Sequence, residues 1–144
     1  FTEKYLISSL KKILKFLKPT LRQKLISTHY HVIDLRNKNK SQILDIDNLI
    51  EDGHPQISTN CKFLITDTYV NANGFQKLLL YEFKRDKTYE LGKFKVDNEI
   101  LKNKYKYDLH PRWNNNDNLI SIDSSHEGSR QSYILNLDTF LKKL

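Results

Sequence analysis

The stretch "DLHPRWNNNDNLISID" (108–123) decides the fold, because it repeats the earlier stretch "DGHPQISTNCKFLITD" (52–67) at an offset of 56 residues. Five polar or proline positions match between the two copies: Asp52 and Asp108, His54 and His110, Pro55 and Pro111, Asn60 and Asn116, and Asp67 and Asp123. An apolar run follows each copy, "KLLLYEF" after the first and "SYILNL" after the second, and "YHVIDL" (30–35) is a third version of it. Repetition at this period predicts an array of similar units.

Apolar and polar residues alternate from about residue 28 onward, which is the pattern of half-buried β-strands. The pattern predicts nine strands, in "HYHVIDL", "SQILDI", "HPQIS", "KFLITDTY", "QKLLLYEF", "TYELGKF", "LHPRW", "LISIDSS" and "RQSYILNL". The tail "DTFLKKL" fits either a last strand or a short helix.

Four strands in each tandem unit predict an all-β fold of β-propeller-type, four-stranded antiparallel blades. The partial propeller would occupy residues 28–144, with blade repeats near 52–94 and 108–144. A closed propeller has about 4–8 blades, whereas this chain supplies about two and a half. We therefore expect a fragment of a longer protein, or a ring that missing blades or other protein chains complete.

The segment 1–27 has a different pattern from the rest of the chain. Four apolar residues lie on one face of a predicted basic amphipathic helix, which Pro19 ends or kinks: Leu6, Leu10, Ile13 and Leu17. The helix could lie on a membrane surface, bind nucleic acid as an arm or dock a partner protein, or it could pack on the β-sheet body. We favour packing on the body and expect no membrane contact, because burying each leucine stabilises the folded chain by about 1.5–3 kcal/mol.

The net charge of +7 is concentrated near the start of the chain. Residues 1–48 carry a net charge of +6, and residues 49–144 carry only +1. A nucleic-acid partner is not expected, because the strand region lacks a basic stripe. The single Cys61 excludes an internal disulfide framework and a cysteine-based zinc site, and it favours a cytoplasmic location. Because the chain begins with Phe1, we expect the natural N-terminus to lie upstream.

The two copies also predict the register of their first hairpins. A hairpin centred on "NC" (60–61) pairs residues whose numbers add to 121, so His54 should lie opposite Asp67. A hairpin centred on "ND" (116–117) pairs residues whose numbers add to 233, so His110 should lie opposite Asp123. An imidazole that faces a carboxylate forms a charge-assisted hydrogen bond. We favour a structural role for these pairs, as locks on the hairpins, because scaffold devices recur between repeats.

A second interpretation makes the same end of the sheets a polar pocket for an anionic or polyhydroxylated ligand. The strand starts and the loops between second and third strands meet there, and they bring six candidate binding residues: His54, His110, Arg112, His126, Glu127 and Arg130. Trp113 is a possible stacking surface, but its odd step from His110 favours packing between sheets. No nucleophile elbow, P-loop, zinc-protease motif or dinucleotide loop is present in the sequence.

The strings "DGHP…FLITDTY" and "DLHPRW…IDSSHEGSRQSYILNL" resemble bacterial propellers related to oligogalacturonate lyase and to TolB-type propellers. The resemblance is greatest to those encoded among polysaccharide-biosynthesis genes, and it covers about residues 28–140. It implies a domain that binds an acidic or neutral oligosaccharide or a protein partner, without demonstrable catalysis. The alternatives are a manganese-assisted polysaccharide lyase and a protein-docking scaffold.

The resemblance also implies a possible metal site. In oligogalacturonate lyases a His-Pro-His-Pro string helps to hold manganese, and His110-Pro111 looks like its second half. Asp108 stands where the first histidine would be, so the ligand set is incomplete. Asp and His together still suit a divalent metal, with four candidate ligands: Asp52, His54, Asp108 and His110. No catalytic base can be assigned by resemblance, and His110 and His126 are candidates only by residue type.

Overall fold

The computed structural model describes residues 29–35, 41–45, 48–96 and 107–144. The helix predicted for residues 1–27 lies outside these residues. The described chain is mostly β-strand, arranged in antiparallel sheets. Within the described ranges, no helix is both long enough and apolar enough to cross a membrane.

All nine predicted strands are present, and the tail is a short helix. The elements are β1 (His31–Ile33), β2 (Ser41–Ile43), β3 (Gln56–Ile57), β4 (Phe63–Asp67), β5 (Phe75–Glu82), β6 (Lys87–Lys95), β7 (Arg112–Trp113), β8 (Leu119–Ser124), β9 (Gln131–Asn136) and α1 (Asp138–Leu141). They form a two-stranded sheet β1–β2, a four-stranded sheet β3–β4–β5–β6 and a three-stranded sheet β7–β8–β9. Among the described residues, none of these sheets closes on itself.

The predicted register of the two first hairpins is confirmed. Gln56 lies opposite Ile65, and Arg112 lies opposite Ser121, so the partner numbers add to 121 and 233. However, β3 and β7 have only two residues each, and both ladders stop before they reach the preceding histidine. The side-chain partners of the histidines are therefore set by contacts outside the ladders.

The sheets stack in chain order, with the four-stranded sheet in the middle. One buried cluster joins the four-stranded and three-stranded sheets: Ile65, Leu78, Leu80, Leu109, Ile120, Ile122 and Leu137. The other face of β4 and β5 packs towards the β1–β2 region through a second cluster: Leu44, Leu49, Leu64, Leu79 and Tyr81. Successive residues of β4 and β5 point to opposite faces, so these two strands are apolar on both sides and read as nearly continuous hydrophobic runs.

Polar contacts fix the positions of the first hairpins of adjacent sheets relative to each other. The Gln56 side-chain oxygen accepts the Trp113 backbone N–H at 2.7 Å. The Asp117 carboxylate accepts the backbone N–H groups of Thr59 at 2.7 Å and Asn60 at 2.8 Å. The Trp113 side chain packs against the cluster shared by the two sheets, so it is part of the core and does not form a stacking surface for a ligand.

Candidate functional site

Three potential metal ligands meet where β3 and β7 begin. His54, Asp108 and His110 each offer one ligand atom, and these atoms all lie within 4.8 Å of one another. The two imidazole rings are 3.8 Å apart between centroids and tilted by 37°. One histidine comes from each repeat, because the repeats place them at the same position before adjacent first strands.

A fully buried carboxylate, Asp67 at the end of β4, holds both histidines. Its Oδ1 accepts the His54 backbone N–H at 2.7 Å and lies 3.0 Å from His54 Nδ1, so the pair predicted for the first repeat is present. Its Oδ2 accepts the His110 backbone N–H at 2.9 Å. When Nδ1 donates to the carboxylate, the lone pair of His54 lies on Nε2, which is the arrangement that favours metal binding.

Gly53 explains how the chain comes so close to Asp67. A Cβ atom at Gly53 would lie 1.9 Å from the Asp67 carbonyl oxygen, a distance that no side chain tolerates. The glycine of "DGHP" therefore permits the close approach of the two backbones. The second repeat has Leu109 at this position, and its side chain is buried in the core between the sheets.

A buried amide positions the carboxylate of the candidate site. Gln76 on β5 donates from Nε2 to the Tyr107 carbonyl at 2.9 Å and to Asp108 Oδ1 at 3.2 Å. Its side chain comes from the first repeat, whereas Asp108 precedes the first strand of the second. The site thus depends on the packing of two units, and sequence reasoning did not assign Gln76 to it.

Tyr69 is a second residue that sequence reasoning missed. Its ring makes an edge contact with His54 at 5.7 Å and is 48% exposed. The negative charge of Asp52 raises the pKa of Tyr69 above its ordinary value, with a smaller contribution from Asp108. Asp52 therefore lies near the rim of the site, where its carboxylate accepts the Gly53 backbone N–H. The second repeat has Ser125 in place of Tyr69, and this break in the repeat was the available signal.

The hydrogen bond predicted between His110 and Asp123 does not form between these two described residues. Asp123 instead accepts Arg130 Nη2 at 2.5 Å and the Ser132 hydroxyl at 2.8 Å. The hydrogen bond from Arg130 holds the pKa of Asp123 below its usual value. His110 has a left-handed backbone, with φ of 43°, and its ring lies against His54. This conformation is strained for a residue before proline, and such strain is concentrated at functional sites.

The remaining candidates do not join the three potential ligands. The Arg130 guanidinium lies 4.8 Å from the Tyr107 ring centroid, next to Asp108 in the chain. Arg112 is exposed and donates to the carbonyl of Pro111, the residue before it.

A separate group forms around His126 in the loop between β8 and β9. Its Nδ1 lies 2.9 Å from the Ser124 hydroxyl, and its ring contacts Phe94 and Tyr133 with centroid distances of 5.3 and 4.6 Å. Glu127 accepts the Tyr133 hydroxyl at 2.8 Å. His126 therefore connects β6 of one sheet with the β8–β9 loop of the next, whereas the contact of Glu127 with Tyr133 lies within the β8–β9 hairpin.

The donor set of His54, Asp108 and His110 fits a divalent metal ion. Two imidazoles and one carboxylate suit divalent first-row metals, and three protein ligands leave coordination positions for an external ligand. His110 is exposed, so these positions have access to solvent. Of the four candidate ligands predicted from the sequence, these three come together, and Asp52 lies at the rim.

Comparisons of the chain with protein-family models, with curated proteins and with solved structures found no match. The family resemblance stated from the sequence therefore stays a prediction.

Proposed function

We propose that the chain is part of a propeller-type array of stacked antiparallel sheets that binds carbohydrate through a divalent metal ion. His54, Asp108 and His110 would hold the ion. The observation that carries this proposal is the convergence of three ligand atoms within 4.8 Å from two different repeats. Each repeat alone supplies an incomplete set, so the stacking of the sheets builds the site.

The surroundings of the three ligands support metal binding. Asp67 orients His54, and Gln76 orients Asp108, so at least two ligands have the outer hydrogen bonds that metal ligands normally have. The carboxylates of Asp52 and Asp67 add negative charge near the ligands, which favours a cation over an anion. A divalent ion such as manganese would supply positive charge for oxygen atoms of a bound ligand.

The exposed side of the site supports a hydroxylated ligand. Sugar hydroxyl and carboxylate oxygens are hard ligands that suit the open positions of a divalent ion. Tyr69 offers a half-exposed aromatic ring beside His54, and Arg130 offers a cation beside Tyr107. The resemblance to propellers of polysaccharide metabolism favours carbohydrate among ligands of this kind, either acidic or neutral.

A docking scaffold is the second candidate function, and Asp67 favours it. Both oxygens of this buried carboxylate bond backbone N–H groups of adjacent repeats, so Asp67 also works as a purely structural clamp. In that case the two histidines would be neighbours without binding a metal.

Calorimetric titration with manganese chloride separates the two functions. We expect one ion to bind per chain, and His110→Ala to abolish binding because it removes an exposed ligand. His126→Ala is the matched control, since His126 contacts none of the three ligands among the described residues. Gln76→Ala should weaken metal binding about 10–100-fold. Absence of manganese binding, or equal binding by His110→Ala, would favour the scaffold.

Titration with oligogalacturonate and with maltotriose then tests the carbohydrate ligand. We expect at least one of them to bind with manganese present and to lose affinity without it. If manganese binds but neither sugar does, the carbohydrate part of the proposal is wrong. Release of an unsaturated product, seen as new ultraviolet absorbance, would show that the site is a lyase.

A further inference from the structure

A cleft lies at the opposite end of β4 from the potential metal ligands. Phe63 begins β4 and Asp67 ends it, so the two sites are separated by four residue steps, or about 13 Å along the strand. The volume of the cleft is about 420 Å³, which is within the range of small-molecule sites. Six residues that line it carry the argument: Lys62, Phe63, Glu82, Phe83, Lys84 and Arg85.

The only acidic side chain in the cleft lining is already neutralised. Glu82 is buried and accepts Arg85 Nη1 at 2.5 Å and the Tyr89 hydroxyl at 3.2 Å. The hydrogen bond from Arg85 holds the pKa of Glu82 below its usual value, so the carboxylate stays ionised. Arg85 also donates to the backbone carbonyl of Leu144. These contacts hold the guanidinium in place at the cleft wall.

Two exposed lysines add positive charge to the cleft. Lys62 and Lys84 are both exposed, and no described carboxylate forms an ion pair with either ammonium group. They flank the cleft on the β3–β4 and β5–β6 turns. The charge at this end of the sheet is therefore opposite in sign to the carboxylate-rich end that contains Asp52, Asp67 and Asp108.

Two aromatic rings line the cleft, one on each face of the sheet. Phe63 packs against the cluster shared with the three-stranded sheet, and Phe83 packs against the cluster on the other face. Phe83 also makes an edge contact with Tyr81 at 5.0 Å. Because each ring is anchored in a core, its position is set before any ligand binds, and binding needs little reorganisation of the protein.

We infer that this cleft binds a small soluble organic phosphate, with its phosphate group at Lys62 and Lys84 and its ring or apolar part against Phe63 or Phe83. Lysine binds phosphate as a flexible point charge, and anchored phenylalanine rings bury the apolar part. Neither feature depends on the metal or on carbohydrate binding. The inference is therefore independent of the proposed function.

Titration of the intact protein with phenyl phosphate, inorganic phosphate and phenol, followed by calorimetry or NMR, tests this inference. Phenyl phosphate should bind more tightly than either of the other probes, because only it has both the charge and the ring. The double variant Lys62→Glu, Lys84→Glu should weaken binding at least about tenfold, since it removes two charge contacts. The matched control reverses two exposed lysines on β6, Lys93→Glu and Lys95→Glu, and should leave binding unchanged.

Three outcomes would overturn the inference. Equal affinity for phenyl phosphate and inorganic phosphate would reduce the cleft to a basic surface without an apolar subsite. Equal weakening by the β6 control would mean that net charge alone, not the cleft, attracts the probe. If the protein sediments with phosphatidic acid vesicles but does not bind phenyl phosphate, the lysines bind the phosphate of a lipid headgroup and not a soluble organic phosphate.

Discussion

The two repeats share five residues at the same spacing, yet Asp67 and Asp123, which match each other, make different contacts. Asp67 has no exposed side-chain surface and binds the backbone N–H groups of both His54 and His110. The side chain of Asp123 is 27% exposed and binds side chains of its own repeat, Arg130 and Ser132.

The difference shows what an internal repeat predicts. Register within a hairpin depends on the turn and on the strands themselves, so it is the same in both copies. The partner of a side chain at the sheet edge also depends on the sheet packed beside it. Asp67 faces the start of the next repeat, whereas among the described residues no further repeat presents a backbone N–H group to Asp123.

The largest expected effect is the loss of stability on removing the Asp67 carboxylate, compared with removal of the Asp123 carboxylate. Asp67→Ala should lower the free energy of unfolding by about 3–5 kcal/mol, because it leaves two backbone N–H groups and one imidazole without their charged acceptor. Asp123→Ala should cost at most about 1 kcal/mol, because its partners are exposed to water. Urea unfolding monitored by circular dichroism measures both values. Equal losses of unfolding free energy would mean that the contacts of Asp67 with both repeats stabilise the fold no more than the contacts of Asp123 do.

Two glycines, Gly53 and Gly128, provide a second comparison. Gly53→Ala should destabilise the fold by about 1–3 kcal/mol, because its Cβ must push the Asp67 backbone away. Gly128→Ala is the control: Gly128 has φ of 90°, but nothing lies within 4 Å of its added Cβ. Its cost should stay near 1 kcal/mol from backbone strain alone. A smaller loss at Gly53 than at Gly128 would contradict the close contact with Asp67.

Much of the fold could be predicted from the sequence because strand signals are local. The period of two predicted all nine strands, and the turn positions predicted both registers. The predicted proximity of His54, Asp108 and His110 also followed from where their strands begin. The propeller-type arrangement stays a prediction, because the described sheets are antiparallel and stacked but do not close.

Side-chain partners could be predicted only where the hairpin itself determines them. The partner of Asp123 depends on a left-handed backbone at His110 and on a loop arginine, neither of which alternation reveals. Gln76 was visible as a matching position in the repeat, but its contact with Asp108 requires the packing of two sheets.

The third comparison concerns two turns with the same backbone and different side chains. Cys61 and Asp117 occupy matching positions, with φ of 56° and 54°. Asp117→Asn keeps a residue that tolerates this conformation but replaces a charged acceptor of two N–H groups by a neutral one. Its expected cost is about 1 kcal/mol. Cys61→Asn should cost nothing, because Asn adopts positive φ readily and the exposed thiol makes only a weak contact. Thermal unfolding of the two variants measures both costs. If Asp117→Asn leaves the unfolding temperature unchanged, the contacts of Asp117 with Thr59 and Asn60 do not stabilise the stacking of the two sheets.

The smallest expected effect is the dependence of stability on pH through Asp123. The hydrogen bond from Arg130 lowers the pKa of this carboxyl in the folded state below its ordinary value of 3.8. A lowered folded-state pKa means that the pair stabilises the fold above the ordinary pKa, and this stabilisation is lost as the pH falls through the folded-state pKa. Asp123→Asn should therefore differ from the natural protein at pH 6 and converge with it in strong acid. Because Arg130 is half exposed, 0.5 M salt should reduce the difference at pH 6. Acid unfolding curves at low and high salt provide the measurement, and a difference that persists undiminished in strong acid would show that Asp123 stabilises the fold by packing and not by its charge.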